Sequence, residues 1–230
     1  MSRYRTAEEI RDEYLSTLGP ALGGAFHALY NEVAWLHVKW RQYHTLFAER
    51  PEHVDLLNES APLFFRLLQE SLWEDVLLHL SRLTDSPVSF GKRNLTVRAL
   101  PNLLDDEDVR QRVAVLIVQA VAATEFARDW RNRHIAHRDL ALTLREPTTP
   151  LSVAKREHVE EALRALAAVV NAVNLHFFAS TIVFEFSAHP GDVNALMCVL
   201  RDGTGVERAR QDSVRRGARR SKGLGPKSAG

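Results

Sequence analysis

Residues 152–177 read SVAKREHVEEALRALAAVVNAVNLHF, and the spacing of their apolar side chains decides the fold class of the chain. Apolar residues recur at steps of three and four without interruption, as they do along one face of a long amphipathic α-helix. This face consists of Val159, Leu163, Leu166, Val170, Val173 and Phe177. The pattern predicts a helix that Ser152 caps and that extends to about Phe184, although residues 182–186 also fit a short strand.

Three other segments repeat this spacing. The first lies between Gly24 and Pro51, the second begins near Ser60 with Pro62 in its first turn, and the third starts at Asp105 or Asp106. Short helices are expected at both ends of the chain, one opened by a capping box of Thr6 and Glu9 and one over residues 192–200. The sequence therefore predicts an all-α protein, a helical bundle of four main helices with short terminal helices.

The charge of the chain is unevenly distributed. Residues 201–230 contain nine Lys or Arg and three Asp or Glu, whereas residues 1–200 contain 21 and 26. We expect one helical domain over 1–200 and a basic, disordered tail over 201–230, because little in the tail is apolar enough to pack. The tail, with Arg215 and Arg216, could bind RNA through phosphate contacts or could be a solvated end without a role.

Composition also excludes several classes of protein. The single cysteine, Cys198, cannot form an internal disulfide or a zinc site built on paired cysteines. No apolar run approaches the ~20 residues that span a bilayer, and the charged start MSRYRTAEEIRDEY is unlike a secretory signal. We therefore expect a cytoplasmic protein with no membrane partner.

An unusually basic segment follows the predicted helix that starts at Asp105 or Asp106. Residues 128–139 read RDWRNRHIAHRD, with four arginines and two histidines. The apolar face of that helix includes Ala127, and the same spacing continues to Arg131 and His134. A guanidinium therefore falls where an apolar side chain is expected. Either the helix leaves the core here as a basic helix end, or the bundle contains a polar pocket. Arg131 and His137 lie about 120° apart on a continuous helix and converge only if the helix ends or bends near His134.

The segment Arg131-Asn132-Arg133-His134-Ile135-Ala136-His137 resembles the Arg…His signature of the HEPN superfamily. The form with Ala-His-Arg-Asp at its end is most similar to the abortive-infection, U-type (AbiU-like) branch. A second piece, residues 72–85 (LWEDVLLHLSRLTD), resembles the helix of that branch that contains Trp and closes on Arg-Leu-x-Asp. The two pieces have the order and separation seen in that branch, and the resemblance covers about residues 20–185.

The resemblance implies a metal-independent endoribonuclease without a cofactor, typically a toxin or phage-defence effector. HEPN domains usually form homodimers in which two Arg…His motifs meet at a cleft, and an antitoxin protein is a possible further partner. His137 would act as the general acid and base, Arg131 would stabilise the transition state, and Asn132 would orient the phosphate or His137. Asp139 stands where some members carry a tyrosine that is modified with a nucleotide, so control by that route is not expected.

Other residues have weaker claims on this site. His134, Arg133 and Asp75 are candidate supporting residues, and Arg128 and Arg138 are candidate RNA-binding residues. Arg82 and Asp85 are three positions apart and are expected to pair with each other. We expect Trp73 and Trp130 to be core or interface aromatics, and His37 and His44 to be packed rather than to bind a metal.

Two other readings of the sequence stay open. One is a non-catalytic HEPN module that binds RNA, a nucleotide or a protein partner. The other is a purely structural or dimerisation protein, in which Arg131 only pairs with acids.

Overall fold

The computed structural model describes residues 6–184 and 191–222, with side chains described as far as residue 215. The described residues are mostly helical, and the prediction of an all-α helical bundle is confirmed. The α-helices are α1 (Ala7–Phe47), α2 (Pro51–Ser60), α3 (Pro62–Leu83), α4 (Glu107–Ala123), α5 (Glu125–Trp130), α6 (Leu140–Leu144), α7 (Arg156–Phe178) and α8 (Val193–Lys222).

The connection from α3 to α4 has local structure of its own. It contains a two-stranded antiparallel hairpin, β1 (Val88–Ser89) and β2 (Lys92–Arg93), followed by a 3-10 helix over Val97–Leu103. The sequence predicts a long connection here with at most one helical turn, and the 3-10 helix fills that place. It packs on both α4 and α7.

The chain divides into two compact units. The first comprises the described residues of Met1–Arg41 and Ser71–Ser187, and the second those of Gln42–Glu70 and Ala188–Gly230. The boundary falls within α1 and within α3. The basic Arg…His segment and most of the buried apolar residues belong to the first unit.

The core of the first unit is built on α7 and α4, which pack against each other. Val159, Leu166, Val170 and Val173, from the predicted face of α7, are fully buried. The helix begins later than predicted, because Lys155 rather than Ser152 stands at its N-cap. It also ends earlier, at Phe178, because Ala179 turns into the left-handed conformation with φ 49°. Residues 182–184 form no strand, and 185–186 lie outside the described residues.

Side-chain caps fix the N-terminal ends of α1 and α4 as predicted. Thr6 and Glu9 form the reciprocal capping box, each backbone N–H donating to the other side chain at 2.9 and 3.1 Å. Asp106 caps α4 by accepting from the backbone N–H of Val109 at 3.0 Å. Gly19, with φ 76° and ψ 166°, interrupts α1 between the two helices that the sequence predicts, the short one opened by Thr6 and the main one before Pro51.

The second unit contains two features that the sequence does not predict. Residues 51–60 form α2, with Pro51 in its first turn, and α8 extends to Lys222 instead of ending near residue 200. The two helices pack together, and Arg208 of α8 forms a two-pronged ion pair with Glu59 of α2. The predicted boundary between residues 200 and 201 lies inside α8, and residues 223–230 lie outside the described part.

No helix among the described residues is long and apolar enough to cross a membrane.

Candidate active site

The Arg…His segment leaves α5 through a π-helical turn over Arg131–Ile135. The backbone N–H of Ala136 donates to the carbonyl of Arg131 at 2.8 Å, five residues back, and that of Asp139 donates to the carbonyl of Arg133 at 3.0 Å. These wider turns end the regular helix between Arg131 and His137, where the sequence requires an end or a bend. Single π-turns inside helices frequently mark functional sites.

Asp85 connects this segment to the end of α3. Its Oδ1 accepts from Arg128 Nη1 at 2.6 Å, and its Oδ2 accepts from Arg131 Nη1 at 2.5 Å. All three side chains are about one-fifth to one-quarter exposed, so these charge-assisted hydrogen bonds are partly shielded from water. One carboxylate therefore holds two arginines, and the three groups together carry one net positive charge.

Arg128 has further contacts that anchor it. Its Nη2 donates to the carbonyl and the hydroxyl of Thr84 at 3.2 and 3.0 Å, and its Nε lies 3.5 Å from Glu125. The Thr84 hydroxyl also lies 2.8 Å from that of Thr124, the fully buried residue at which α4 gives way to α5. Arg128, a candidate RNA-binding residue, is thus part of the joint between α3 and α5.

The structure brings Arg131 and Asn132 together but joins neither of them to His137. Arg131 Nε donates to Asn132 Oδ1 at 3.1 Å. Arg131 Nη2 has no hydrogen-bond partner within the described part of the chain. His137 is exposed, and no hydrogen bond or ion pair connects it to any residue of 6–184 or 191–222. The imidazole and one edge of the guanidinium are therefore open to a ligand.

Arg133 holds the loop that follows. Its guanidinium pairs with Asp129 at 3.5 Å and with Asp139 at 3.3 Å, and it donates to the carbonyls of Thr149 and Pro150 at 2.5 and 3.3 Å. With two acids and two carbonyls around it, Arg133 has the contacts of a structural anchor.

The acids around Arg133 titrate below their ordinary range. Burial raises the pKa of Asp129, but the hydrogen bonds from Ser152 and the charge of Arg133 outweigh it and hold that pKa low. The backbone N–H of Leu142 lowers the pKa of Asp139, and Arg133 adds to the effect. Both carboxylates therefore remain charged at neutral pH, as partners of a cation require.

The other candidate residues are placed as follows. His134 Nε2 lies 3.6 Å from Glu74, and its ring meets that of Trp130 edge to face at 5.2 Å. Asp75, a candidate supporting residue, pairs with Lys39 of α1 at 2.7 Å. Arg138 and Arg215 are exposed, Arg215 lies in the second unit, and the side chain of Arg216 is outside the described residues.

The aromatic candidates take part in packing. Trp130 Nε1 donates to the carbonyl of Ser152 at 2.8 Å, and the rings of Trp40 and Trp73 lie 6.3 Å apart. His37 is buried and stacks on Phe184 at 5.1 Å. No group of three or more His, Cys, Asp or Glu side chains among the described residues is arranged to hold a metal ion.

Asp85 is the residue of this site that sequence reasoning missed. The expected partner of Asp85 was Arg82, but Arg82 pairs with Glu32 of α1 at 3.2 Å. The signal was present in the Arg-Leu-x-Asp ending of residues 82–85. The three-residue spacing of Arg82 and Asp85 favoured a pair within one helix. The contact of Asp85 with Arg131 can be found only when the packing of α3 against the Arg…His segment is known.

Comparison with protein families supports the resemblance found in the sequence. A sequence model of the HEPN AbiU2 family matches residues 19–196, which includes both segments that meet at Asp85. The comparisons with curated proteins and with solved structures found no match.

Proposed function

The chain belongs to the AbiU2 family of HEPN domains, and on that premise we propose that it is a metal-independent endoribonuclease. Its active site contains Arg131, Asn132 and His137, and it acts as a toxin or phage-defence effector. The observation that carries the proposal is the state of two side chains. Arg131 is fixed by Asp85 and Asn132 with one nitrogen open, and His137 is exposed without a partner in the described residues.

RNA supplies its own nucleophile, the ribose 2′-hydroxyl. An RNA-cleaving site therefore needs only a group that transfers protons and a group that stabilises charge, and these two side chains can serve as those groups. The ribose 2′-oxygen attacks the adjacent phosphorus, the bond from phosphorus to the 5′-oxygen breaks, and a 2′,3′-cyclic phosphate and a 5′-hydroxyl result. His137 takes the proton of the 2′-hydroxyl, and an imidazolium returns a proton to the 5′-oxygen. An imidazole titrates near neutral pH, so it can serve in both roles.

Arg131 acts on the charge that develops on the phosphoryl oxygens. A guanidinium stays protonated and donates charge-assisted hydrogen bonds to phosphate oxygens. With Nη1 on Asp85 and Nε on Asn132, its free Nη2 donates to phosphate from a side chain that is already oriented. A donor that is in place before the reaction stabilises the transition state without reorganisation.

The site is completed in a homodimer, in which two His137 side chains share one cleft and divide the roles of base and acid. The exposed apolar side chains of Leu140, Leu144 and Val153 support a protein contact close to the motif. Arg138 provides a further phosphate contact next to His137, and Arg215 of α8 adds a phosphate contact in the second unit. A cognate antitoxin would act by covering this cleft.

The test is cleavage of end-labelled, single-stranded RNA by the purified full chain in the presence of EDTA. The wild-type protein should produce fragments that end in a cyclic phosphate. Arg131→Ala and His137→Ala should each lower the rate at least about 100-fold, because each removes a group that acts in the transition state. Cleavage that requires a divalent ion, or that survives both substitutions, would contradict the proposal.

Two variants of the same residue types serve as controls. His176→Ala removes an exposed histidine of α7, and Arg110→Ala removes an arginine whose Nη1 pairs with Glu107 at 2.6 Å. Both residues lie outside the motif, so both variants should cleave within about threefold of wild type. A wild-type protein that binds RNA and leaves it intact would point to the non-catalytic HEPN module.

A further inference from the structure

Asp85 occupies a rigid position at the end of α3. Thr96 Oγ1 lies 2.9 Å from the carbonyl oxygen of Leu83 and 2.9 Å from that of Asp85 itself, so one buried hydroxyl holds the backbone on both sides of Thr84. Thr84 is fully buried and bonded to Thr124. The carboxylate therefore projects from backbone that the core of the first unit fixes.

The two oxygens of this carboxylate are divided between two arginines. Arg128 holds Oδ1 while it is itself held by Thr84, so it limits the rotation of the carboxylate from one side. Arg131 takes Oδ2, and its Nη1 can form that bond only in a narrow range of side-chain torsions. The bond to Asn132 then fixes the plane of the guanidinium.

We infer that Asp85 is the positioning residue for Arg131, orienting its free edge for the phosphate in the ribonuclease reaction. This inference rests on the proposed function. Asp85 acts through Arg131 and does not itself touch RNA. Arg128 of α5 orients the carboxylate, so Asp85, Arg128 and Arg131 together fix the direction of the free guanidinium edge.

If Asp85 has this role, neutralising its carboxylate should strengthen RNA binding and slow turnover. In Asp85→Asn the side chain keeps its size, but the cluster loses its one negative charge, so the greater net positive charge attracts the RNA backbone more strongly. We expect KM to fall roughly two- to fivefold at low salt. Because Arg131 loses its orientation, kcat should fall about 10- to 100-fold, the effect of a misplaced catalytic donor.

The experiment measures kcat and KM of the full chain on single-stranded RNA, with the melting temperature of every variant. Asp85→Glu retains the charge but displaces it by one methylene, so its kcat should lie between those of wild type and Asp85→Asn. Glu107→Gln is the matched control, since it also removes a carboxylate from a 2.6 Å pair with an arginine of the first unit. It should leave kcat and KM within about twofold of wild type.

The possible results separate the inference from the proposed function. Wild-type protein that does not cleave RNA overturns both. Wild-type protein that cleaves, with a folded Asp85→Asn variant of unchanged kcat, overturns the positioning role alone. A loss of kcat with a raised KM, not recovered in Asp85→Glu, also overturns it, because it would indicate a structural role. If Asp85→Asn does not fold, Asp85→Glu decides, and a wild-type kcat in that variant contradicts the inference.

Discussion

Arg133 and Asp139 enclose the segment that carries His137. The Arg133 Nε atom lies 3.3 Å from Asp139 Oδ2, and the backbone N–H of Asp139 donates to the Arg133 carbonyl at 3.0 Å. The same guanidinium contacts Asp129 and the carbonyls of Thr149 and Pro150. The placement of His137 therefore depends on Arg133, whose side chain and backbone both close the five-residue loop 134–138.

Arg133→Ala should destabilise the protein by about 1–3 kcal/mol, because it leaves two acids and two carbonyls without their shared donor. Urea unfolding followed by circular dichroism measures this loss. Arg138→Ala is the matched control, since Arg138 is exposed and has no hydrogen bond or ion pair within the described residues. Its free energy of unfolding should stay within about 0.5 kcal/mol of wild type. Equal stability of the two variants would contradict the anchoring role.

The lowered pKa of Asp129 predicts how stability changes with pH. Burial opposes the shift, but the Ser152 and Arg133 donors favour the charged form in the folded state. A carboxylate with a lowered folded-state pKa contributes stability above its unfolded pKa of about 3.9 and loses it as pH falls through the folded value. The free energy of unfolding should therefore decrease as pH is lowered from about 5 toward 2.

Asp129→Asn should make this decrease shallower, because the substituted side chain no longer takes up a proton on unfolding. Urea unfolding of both proteins between pH 3 and pH 7 gives the two slopes. A slope in Asp129→Asn as steep as that of wild type would show that Asp129 does not contribute.

Helix boundaries were predictable where the decisive contacts are local in sequence. The capping box joins Thr6 to Glu9, and Asp106 caps the backbone of Val109; in both cases the partners are three positions apart. Such caps can be recognised from the residue types alone. The apolar face of α7 likewise predicted buried positions: five of its six side chains are buried, and Phe177 is half-buried.

Contacts between distant segments were not predictable in this way. Asp85 and Arg131 are 46 positions apart, and nothing in the spacing of either segment selects the other. Ser152 illustrates the same limit, since it looks like a helix cap but binds Trp130 and Asp129. The resemblance identified the segments that carry the site, and only their packing revealed the carboxylate between them.

Gly23 marks a close approach within α1. A Cβ atom on this residue would lie 2.4 Å from the carbonyl oxygen of Tyr14 and 2.9 Å from Leu15 Cα, because the kink at Gly19 folds the first turns back on the helix. Gly23→Ala should cost about 1–3 kcal/mol, since backbone atoms must move. The neighbouring Gly24 has nothing within 4 Å of its Cβ position.

Gly24→Ala is thus the matched control for Gly23→Ala and should stabilise the protein by about 0.5–1 kcal/mol through helix propensity. Urea unfolding of the two single variants gives effects of opposite sign. Two stabilising effects would mean that the first turns of α1 do not pack against Gly23.

We predict that the ion pair between Arg208 and Glu59 stabilises the helical structure of α8 around and beyond residue 204. Both guanidinium contacts of Arg208 go to Glu59 of α2, and their hydrogen bonds lower the pKa of that carboxyl. Gly203 and Gly205 weaken the helix just before Arg208, so the following turns depend on this contact. Arg208→Ala should make backbone amides from residue 204 onward exchange with deuterium roughly two- to fivefold faster.

The comparison variant is Arg210→Ala, which removes an exposed arginine from the same turns of α8 that has no hydrogen bond or ion pair within the described residues. Exchange in this variant should match that of wild type. If residues 204–215 exchange at the rate of an unfolded chain in the wild-type protein, the flexible tail that the charge pattern predicts from residue 201 is correct. Protection that depends on Arg208 and not on Arg210 instead places these residues in a helix that Glu59 stabilises.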